Sequence, residues 1–404
     1  MADILTFNNS WLRVGSAQVL DNGLPPVAPK TMRFRFSNTS FDPRTDTVPY
    51  SSDYDYTWTK VAEGIYDFTY DHAEWLYTSS GSQWSIIGAV RSPSNINTKP
   101  LDTAATVGTL EVIDSNLSGV TKMGNFGNSL QHTIVSAKLR NVSDLTTAAK
   151  LFQSTPKLVT VDIDELSSAS SLSTMFQSCT SLTSANISAP VATSSTMMFQ
   201  SCTSLTSATV SAPSVTDSKD MFKWCTSLTS ATVDLTSVTT TEGLFYGCSS
   251  LVSASLQLSA ALTNIKSMFN GCTALTSAPA GLNATTTVNV INMNNAFTGC
   301  TSLTTAPSLD YSSAASVLEM FKNTAITAVP TMNTVDGVLT DVRSAFLNCW
   351  SVEQGALAMY NVWSSYANVP NIATNPPFKN CGASTVTGAA ELAQIPSAWG
   401  GGAA

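Results

Sequence analysis

The sequence predicts a mainly β protein with short helical turns. We expect a solenoid whose parallel sheet takes one short strand from each coil of 23–28 residues, preceded by a small β-rich domain. Phenylalanine recurs from Phe152 to Phe346 with gaps of 24, 23, 23, 23, 24, 28, 24 and 25 residues. Seven of the eight cysteines stand three residues after such a phenylalanine, and the eighth, Cys381, stands three residues after Phe378. A fixed period in this range is typical of a solenoid, in which each unit buries its apolar side only against its neighbours.

Within each unit the spacing between apolar residues changes from three residues to two. In the second unit Phe176, Cys179 and Leu182 stand three residues apart, which fits one turn of α or 3₁₀ helix. Ala185 and Ile187 then alternate with polar residues, which predicts a half-buried strand. The same slots recur in later units, so we expect them to form the core columns of one continuous sheet of about ten rungs.

The cysteines fall in one column of this repeat. Their Cβ vectors would therefore run parallel instead of facing one another, so we expect free, buried thiols and not disulfides. The sequence has no Cys-x-x-Cys pair and only two histidines, His72 and His132, both outside the cysteine array. We therefore expect no metal site and no cofactor.

The repeated unit also resembles a known family. The pattern Phe-x-x-Cys-x-x-Leu-x-x-Ala-x-Ile-x-x-Pro, as in Phe176 to Pro190, is similar to the BspA-type leucine-rich repeat. The resemblance covers about residues 120–350 and implies a curved leucine-rich-repeat solenoid with a role in surface recognition or adhesion. The 28-residue gap before Phe297 departs from the pattern and predicts a bulge, and Thr324 takes the place of a cysteine.

The chain divides into three predicted parts. Residues 1–107 are expected to form the β-rich domain and to serve as an attachment module, and residues 108–350 form the solenoid. Residues 351–404 lose the period and are expected to cap the far end or to bind a neighbour.

The first part carries its own signals. Residues 31–36 alternate at period two and predict a strand, residues 56–61 and 65–70 predict a hairpin, and four of the eight tryptophans predict an aromatic core. The run TMRFRF, followed by YTWTKVAEGIYDFTYDHAEW, resembles the leader that precedes such repeats in proteins of gut Bacteroides phages and prophages. This resemblance implies a virion protein that is assembled in the host cytoplasm.

Composition narrows the choice of partners. Charged residues make up 11% of the chain, against about 25% in ordinary soluble domains, and the net charge is −8. Both values argue against nucleic-acid binding. A surface of hydroxyl groups suits neutral partners such as sugars or protein backbone, although Ser and Thr also serve simply as strand and turn residues.

No apolar run reaches 18 residues and the first 15 residues lack a signal-peptide pattern, so we expect neither membrane insertion nor export by that route.

Catalysis has little support, and we expect a protein that is not an enzyme. No Gly-x-Ser-x-Gly elbow and no phosphate-binding loop is present. Asp162 and Asp164 could in principle form a carboxylate pair, but a flat sheet lacks the cleft that such a pair needs.

Two polar rows and one tryptophan are the candidate binding residues. Positions ten and twelve after each phenylalanine point away from the core. The first row contains Asp162, Asn186, Thr209 and Thr232, and the second contains Asp164, Ser188, Ser211 and Asp234. Trp224 fills a slot that elsewhere holds Ser or Gly, so we expect it to be exposed and available for contact with a sugar or a protein. The alternative for the two rows is a hydrated sheet face that binds no partner. The alternative for Trp224 is a side chain that only shields a gap beside Lys223.

These observations lead to one main hypothesis and two alternatives. The first is a non-enzymatic phage virion structural protein, a fibre or surface decoration, that displays the solenoid for adhesion to a host-surface glycan or protein. It would contact other virion proteins through residues 1–107 or 351–404, and a homo-oligomer is compatible with this role. The alternatives are a bacterial cell-surface adhesin and a purely structural capsid or tail component.

Overall fold

The computed structural model describes residues 134–372 and 374–402, and before them residues 63, 117 and 120 and a series of strands. The strands up to residue 123 are β1 (Ile4–Asn8), β2 (Trp11–Val14), β3 (Ala17–Leu20), β4 (Lys30–Phe36), β5 (Val48–Pro49), β6 (Tyr56–Ala62), β7 (Ile65–Tyr70), β8 (Glu74–Trp75), β9 (Val90–Arg91), β10 (Leu110–Asn116) and β11 (Lys122–Met123). The later strands are β12 (Ile134–Leu139), β13 (Thr160–Ile163), β14 (Ser184–Ser188), β15 (Ser207–Ser211), β16 (Ser230–Leu235) and β17 (Ser253–Leu258). The helices are α1 (Ala284–Thr287), α2 (Ala356–Ser364), α3 (Val386–Leu392) and a 3₁₀ helix (Ser397–Trp399).

The repeats form a parallel β-solenoid, which confirms the predicted fold class. Strands β14, β15, β16 and β17 pair in sequence order as one parallel sheet. Their register places Ala185, Ala208 and Ala231 side by side, in the column that the repeat predicted. These alanines are buried, so the period-two alternation of the sequence becomes alternation between core and solvent.

The N-terminal strands β4, β6 and β7 share a sheet with the first strands of the solenoid, β12 and β13. A second sheet has the order β13-β12-β10-β4-β7-β6, in which β10, β12 and β13 pair in parallel and β4, β7 and β6 pair antiparallel. The strand predicted at residues 31–36 and the hairpin predicted at 56–70 are confirmed by β4 and by the β6–β7 pair. This sheet contains strands from both sides of residue 107, the predicted domain boundary. The division into domains stays a prediction. The aromatic core predicted for the first part lies outside the described side chains.

The expectation of one continuous sheet is wrong. The strand ladder is interrupted between β13 and β14, and among the described residues no extended strand follows β17. Pro279 and Pro307 occupy the slot that holds Asn186 in the second unit, and proline has no N–H group for a ladder. The coils nevertheless continue to stack, because a column of parallel bridges runs unbroken from Ser171 to Asn371.

The recurring phenylalanines form one continuous stack inside the solenoid. Neighbouring rings from Phe152 to Phe378 lie 5.2–5.7 Å apart between centroids and are nearly parallel. All of these rings are fully buried. At the far end the indole of Trp363, which belongs to α2, contacts both Phe346 and Phe378 and therefore packs beside the last two rings of the stack.

All eight cysteines are free and buried, as the register predicted. Each thiol of the regular coils donates to the carbonyl of the phenylalanine in the coil before it, for example from Cys202 Sγ to Phe176 O at 3.0 Å. Thr324, which replaces a cysteine, donates instead to Phe321 O at 2.8 Å. Burial raises the pKa of the thiols, to about 12 for Cys300 and about 11 for Cys349.

Many hydroxyl groups hold the coils together along the outer surface. In one ladder Thr206 Oγ1 donates to Thr183 O, and Thr229 Oγ1 donates to Thr206 O, both at 3.0 Å. Similar ladders run through Thr193, Thr216, Thr239 and Thr263, and through Thr203, Ser249, Thr273 and Thr301. Much of the unusual Ser and Thr content therefore satisfies the backbone carbonyls of the neighbouring coil.

Two irregular features of the repeat, the long gap before Phe297 and the Phe378–Cys381 pair, have a clear structural counterpart. Helix α1 accommodates the 28-residue gap, and Asn283 caps it by accepting from the backbone N–H groups of Thr285 and Thr286. Phe378 and Cys381 form one further coil, onto which Trp399 of the 3₁₀ helix packs. The solenoid therefore continues past residue 350, and the predicted roles of residues 351–404 as a cap or in binding a neighbour stay predictions.

The buried thiols predict a large difference in reactivity between the folded and unfolded chain. A thiol must ionise to be alkylated, and burial opposes ionisation. We expect none of the eight cysteines to react with iodoacetamide at about pH 8 in the native protein, and all eight to react after denaturation, as counted by mass spectrometry. The control is Ser207→Cys on the exposed face of β15, which should react in the folded state. Rapid labelling of the native wild type would contradict this packing.

The hydroxyl ladder predicts a stabilising substitution. Val252 lies in the slot after Thr229, is 49% exposed and already donates its backbone N–H to Thr229 O. Val252→Thr adds a hydroxyl that can donate to the same carbonyl, so we expect stability to rise by about 0.5–1 kcal/mol, measured as a higher urea midpoint. Val252→Ala removes both exposed methyl groups without adding a donor and should give no such gain.

Candidate recognition surface on the solenoid

The structure forms the predicted polar rows on the sheet face. The strand register aligns Asn186 with Thr209 and Thr232 in the first row, and Ser188 with Ser211 in the second. Asp234 continues the second row on β16. These positions alternate with buried ones, so the rows face outward as the sequence indicated. Their role in binding stays a prediction.

The two aspartates at the start of the rows lie in a different setting. Asp162 and Asp164 belong to β13 and the turn after it, beside the edge of the six-stranded sheet, and both form ion pairs with Arg140. The backbone N–H of Asn141 also donates to Asp164 Oδ2 at 2.9 Å. The hydrogen bond from Arg140 lowers the pKa of Asp162 below its ordinary value. The pair is therefore a charge-compensated part of the sheet face and does not have the geometry of two opposed catalytic acids.

Trp224 is exposed, as predicted, and its backbone explains why the slot usually holds a small residue. Its φ is +62°, in the left-handed region that disfavours bulky side chains. The same slot has positive φ in the other coils, at Ser154, Ser178, Ser201, Gly247, Gly271, Gly299, Asn323, Asn348 and Asn380. A tryptophan that is 47% exposed in this conformation gains little from core burial. Its predicted role in contact with a partner, and the alternative that it only packs beside Lys223, both stay predictions.

Trp224 belongs to a cluster that we call the aromatic patch, formed by Asp220, Lys223, Trp224 and Tyr246. The indole and the phenol ring meet edge to face, with centroids 6.4 Å apart at 81°. The Lys223 ammonium lies 4.9 Å from the Trp224 ring centroid and 5.3 Å from that of Tyr246, within the range of cation–π attraction. The same ammonium lies 3.4 Å from Asp220 Oδ2, so the carboxylate of Asp220 neutralises the charge that the two rings surround.

Two glycines of the next coil make room for the patch. A Cβ atom on Gly247 would lie 2.7 Å from Trp224 Cδ1, and a Cβ on Gly243 would lie 2.2 Å from Asp220 Oδ1. Larger residues at either position would collide with these side chains. The indole therefore lies directly over the turn of the next coil, and this close contact limits its orientation.

A second group of charges borders the patch. Glu242 lies between two lysines of the flanking coils, with Oε1 at 3.2 Å from Lys219 Nζ and 3.5 Å from Lys266 Nζ. Partial burial acts to raise the pKa of Glu242, but the two ammonium groups outweigh it and lower the pKa below its ordinary value. The three side chains form a charge ladder across three coils, in which each cation has a carboxylate partner.

Sequence reasoning identified Trp224 but missed Tyr246 and Asp220. One available signal was the distribution of charge. Ten charged residues lie between residues 171 and 330, and seven of them fall within 217–266. Such clustering in a chain of few charges marks these coils as different from the rest.

Two other kinds of site are absent from the described part of the chain. No group of three or more His, Cys, Asp or Glu side chains there is placed to hold a metal ion. Within the same residues, none of the helices is both long and apolar enough to cross a membrane.

Comparison with known proteins identifies the repeat. The family model described as a BspA type leucine rich repeat region matches residues 126–217 and 215–353, with six copies. No curated protein and no solved structure matches the chain.

The Arg140 pairs predict a pH-dependent contribution to stability. The folded-state pKa of Asp162 is lowered, so the stabilisation is present above the unfolded pKa of about 3.9 and is lost as the pH falls through the folded value. We expect Arg140→Gln to lower stability at about pH 7 by up to ~1 kcal/mol, since Asp162 is largely exposed, and to have little effect near pH 2. Urea midpoints at both pH values test this, and an equal loss at both would contradict it.

Proposed function

Because the chain belongs to the BspA-type leucine-rich repeat family, we propose that it is a non-enzymatic adhesion protein that recognises a host-surface glycan or protein through its solenoid. The repeat domain is consistent with surface binding. The observation that carries the proposal is Trp224, an exposed aromatic side chain in a backbone conformation that favours small residues. Aromatic side chains are enriched at contact hot spots, where they offer a large rigid surface at low entropic cost.

The finer proposal is a phage virion structural protein, either a fibre or a surface decoration. Residues 1–107 or 351–404 would attach it to other virion proteins, and the solenoid would face the host. The leader-like run TMRFRF supports this placement, as does a column of eight free thiols, which suits folding in a reducing cytoplasm. A bacterial cell-surface adhesin and a purely structural capsid or tail component are the competing functions.

The adhesion function predicts that binding to cells depends on Trp224. We expect the labelled full-length protein to bind intact Bacteroides cells, and Trp224→Ala to reduce binding about tenfold or more, because truncating a contact aromatic commonly costs over 1 kcal/mol. Asn186→Ala, on the sheet face, is the comparison, and flow cytometry gives the measurement. Equal binding by the wild type and Trp224→Ala, or binding lost only with Asn186→Ala, would contradict recognition through this surface.

The protein composition of purified phage particles distinguishes the competing functions. The virion proposal requires the chain among the structural proteins of purified phage particles, detected by mass spectrometry. Its presence on bacterial surfaces but not in particles would favour the bacterial adhesin. Its presence in particles without any cell binding by the isolated chain would favour the purely structural component.

A further inference from the structure

We propose that the aromatic patch binds a neutral oligosaccharide, with one pyranose ring stacked on Trp224 and the following sugars lying over Gly271 and Gly299. This inference names the ligand class for the adhesion function proposed above, and it rests on that function. Three features of the described residues support it, namely a fixed aromatic ring, a strip without side chains beside it, and local charge neutrality.

The first feature is the fixed ring. Trp224 touches Gly247 of the next coil, meets Tyr246 edge to face and has the Lys223 ammonium over its ring, yet it remains 47% exposed. A ring that is already oriented loses little conformational entropy when a ligand binds. The apolar C–H face of a pyranose can pack on such an indole, which provides a large apolar surface with a polar N–H at its edge.

The second feature is a bare strip next to the ring. Gly247, Gly271 and Gly299 follow Trp224 in the same slot of successive coils. A Cβ atom on Gly271 or Gly299 would meet only backbone atoms of the preceding glycine, at 3.5–3.7 Å, so no side chain lies within 4 Å of either Cβ position. Asn323 occupies the slot in the following coil and ends the strip. With coils about 4.8 Å apart, Gly271 and Gly299 leave room for about two sugar rings beyond Trp224, between an aromatic side chain at one end and an amide at the other.

The third feature is the pairing of charges around this surface. Lys223 is paired with Asp220, and Lys219 and Lys266 are both paired with Glu242. Near the far end of the strip Lys322 Nζ lies 2.9 Å from Glu319 Oε1. Asp217, whose Oδ1 accepts the backbone N–H of Lys219, adds a fourth carboxylate to these four cations. The surface is therefore neutral overall, and none of these lysines is an unpaired cation for an acidic sugar. A neutral sugar can instead use its hydroxyl groups to donate to the carboxylates and accept from the ammonium groups.

The test uses the full-length protein and defined oligosaccharides of about five sugars. The neutral probes are malto-, cello-, manno- and galacto-oligosaccharides, and the acidic probes are oligomers of galacturonate and of alginate. Isothermal titration calorimetry should detect binding of at least one neutral probe, tighter for the oligomer than for the single sugar, with less than about a twofold change in affinity from 0.05 to 0.5 M NaCl.

Three variants separate the patch from the rest of the chain. Asparagine occupies the Trp224 slot elsewhere at positive φ, so Trp224→Asn and Gly271→Asn should preserve the fold. Trp224→Asn should weaken binding about tenfold or more, and Gly271→Asn should weaken the oligomer more than the single sugar. Trp350→Ala is the matched control, because Trp350 is 44% exposed but lies outside the patch, and it should leave the affinity unchanged.

The outcomes distinguish this inference from the proposed function. If the protein adheres to cells but binds no neutral oligosaccharide, or binds acidic oligomers more tightly with strong salt dependence, the ligand assignment is wrong and adhesion stands. Unchanged sugar binding by Trp224→Asn also overturns the assignment. If a neutral sugar binds through Trp224 but no cells are bound, the ligand assignment stands and the adhesion function fails.

Discussion

The solenoid depends on hydrogen bonds that cross from each coil to the next at the phenylalanine carbonyl. Phe176 O accepts the N–H of Cys179 within its own coil and the thiol of Cys202 from the next, both at 3.0 Å. This double use satisfies a buried acceptor beside the stacked aromatic rings. Both residue types found in the slot are small and carry a donor, but cysteine donates to the preceding coil, whereas Thr155 and Thr324 donate to the phenylalanine carbonyl of their own coil.

Because coils contact only their neighbours, the outer surface can change in one place without disturbing the core elsewhere. The core columns are nearly invariant, whereas the turn slots vary from glutamine to lysine and tyrosine. Gln153, Gln177 and Gln200 form an amide ladder up to the point where Lys223 begins the patch. The aromatic patch thus occupies only a few coils of an otherwise uniform stack. The backbone strain of Trp224 at positive φ is confined to its own turn.

The sequence predicted the inward-facing half of the fold because residue type and spacing repeat there, as in the Ala185 and Ile187 columns. The end of the sheet could also have been read from Pro279 and Pro307, which cannot donate to a ladder. The pairing of β4 with β10 could not, since it joins segments far apart in the chain through strands that are not part of the repeat. Tyr246 was missed because its importance comes from contact with Trp224 of the preceding coil, which no spacing within one unit reveals.

Repetition itself argues for the patch over the sheet face as the place of recognition. The rows of β14, β15 and β16 present almost the same hydroxyl pattern on successive rungs, so a ligand could bind in several registers with similar energy. Specificity is a difference in affinity between alternatives, and equivalent registers provide none. The aromatic patch combines Trp224, Tyr246 and Lys223 at one position along the described solenoid, so a ligand bound there would have a single register and a single orientation.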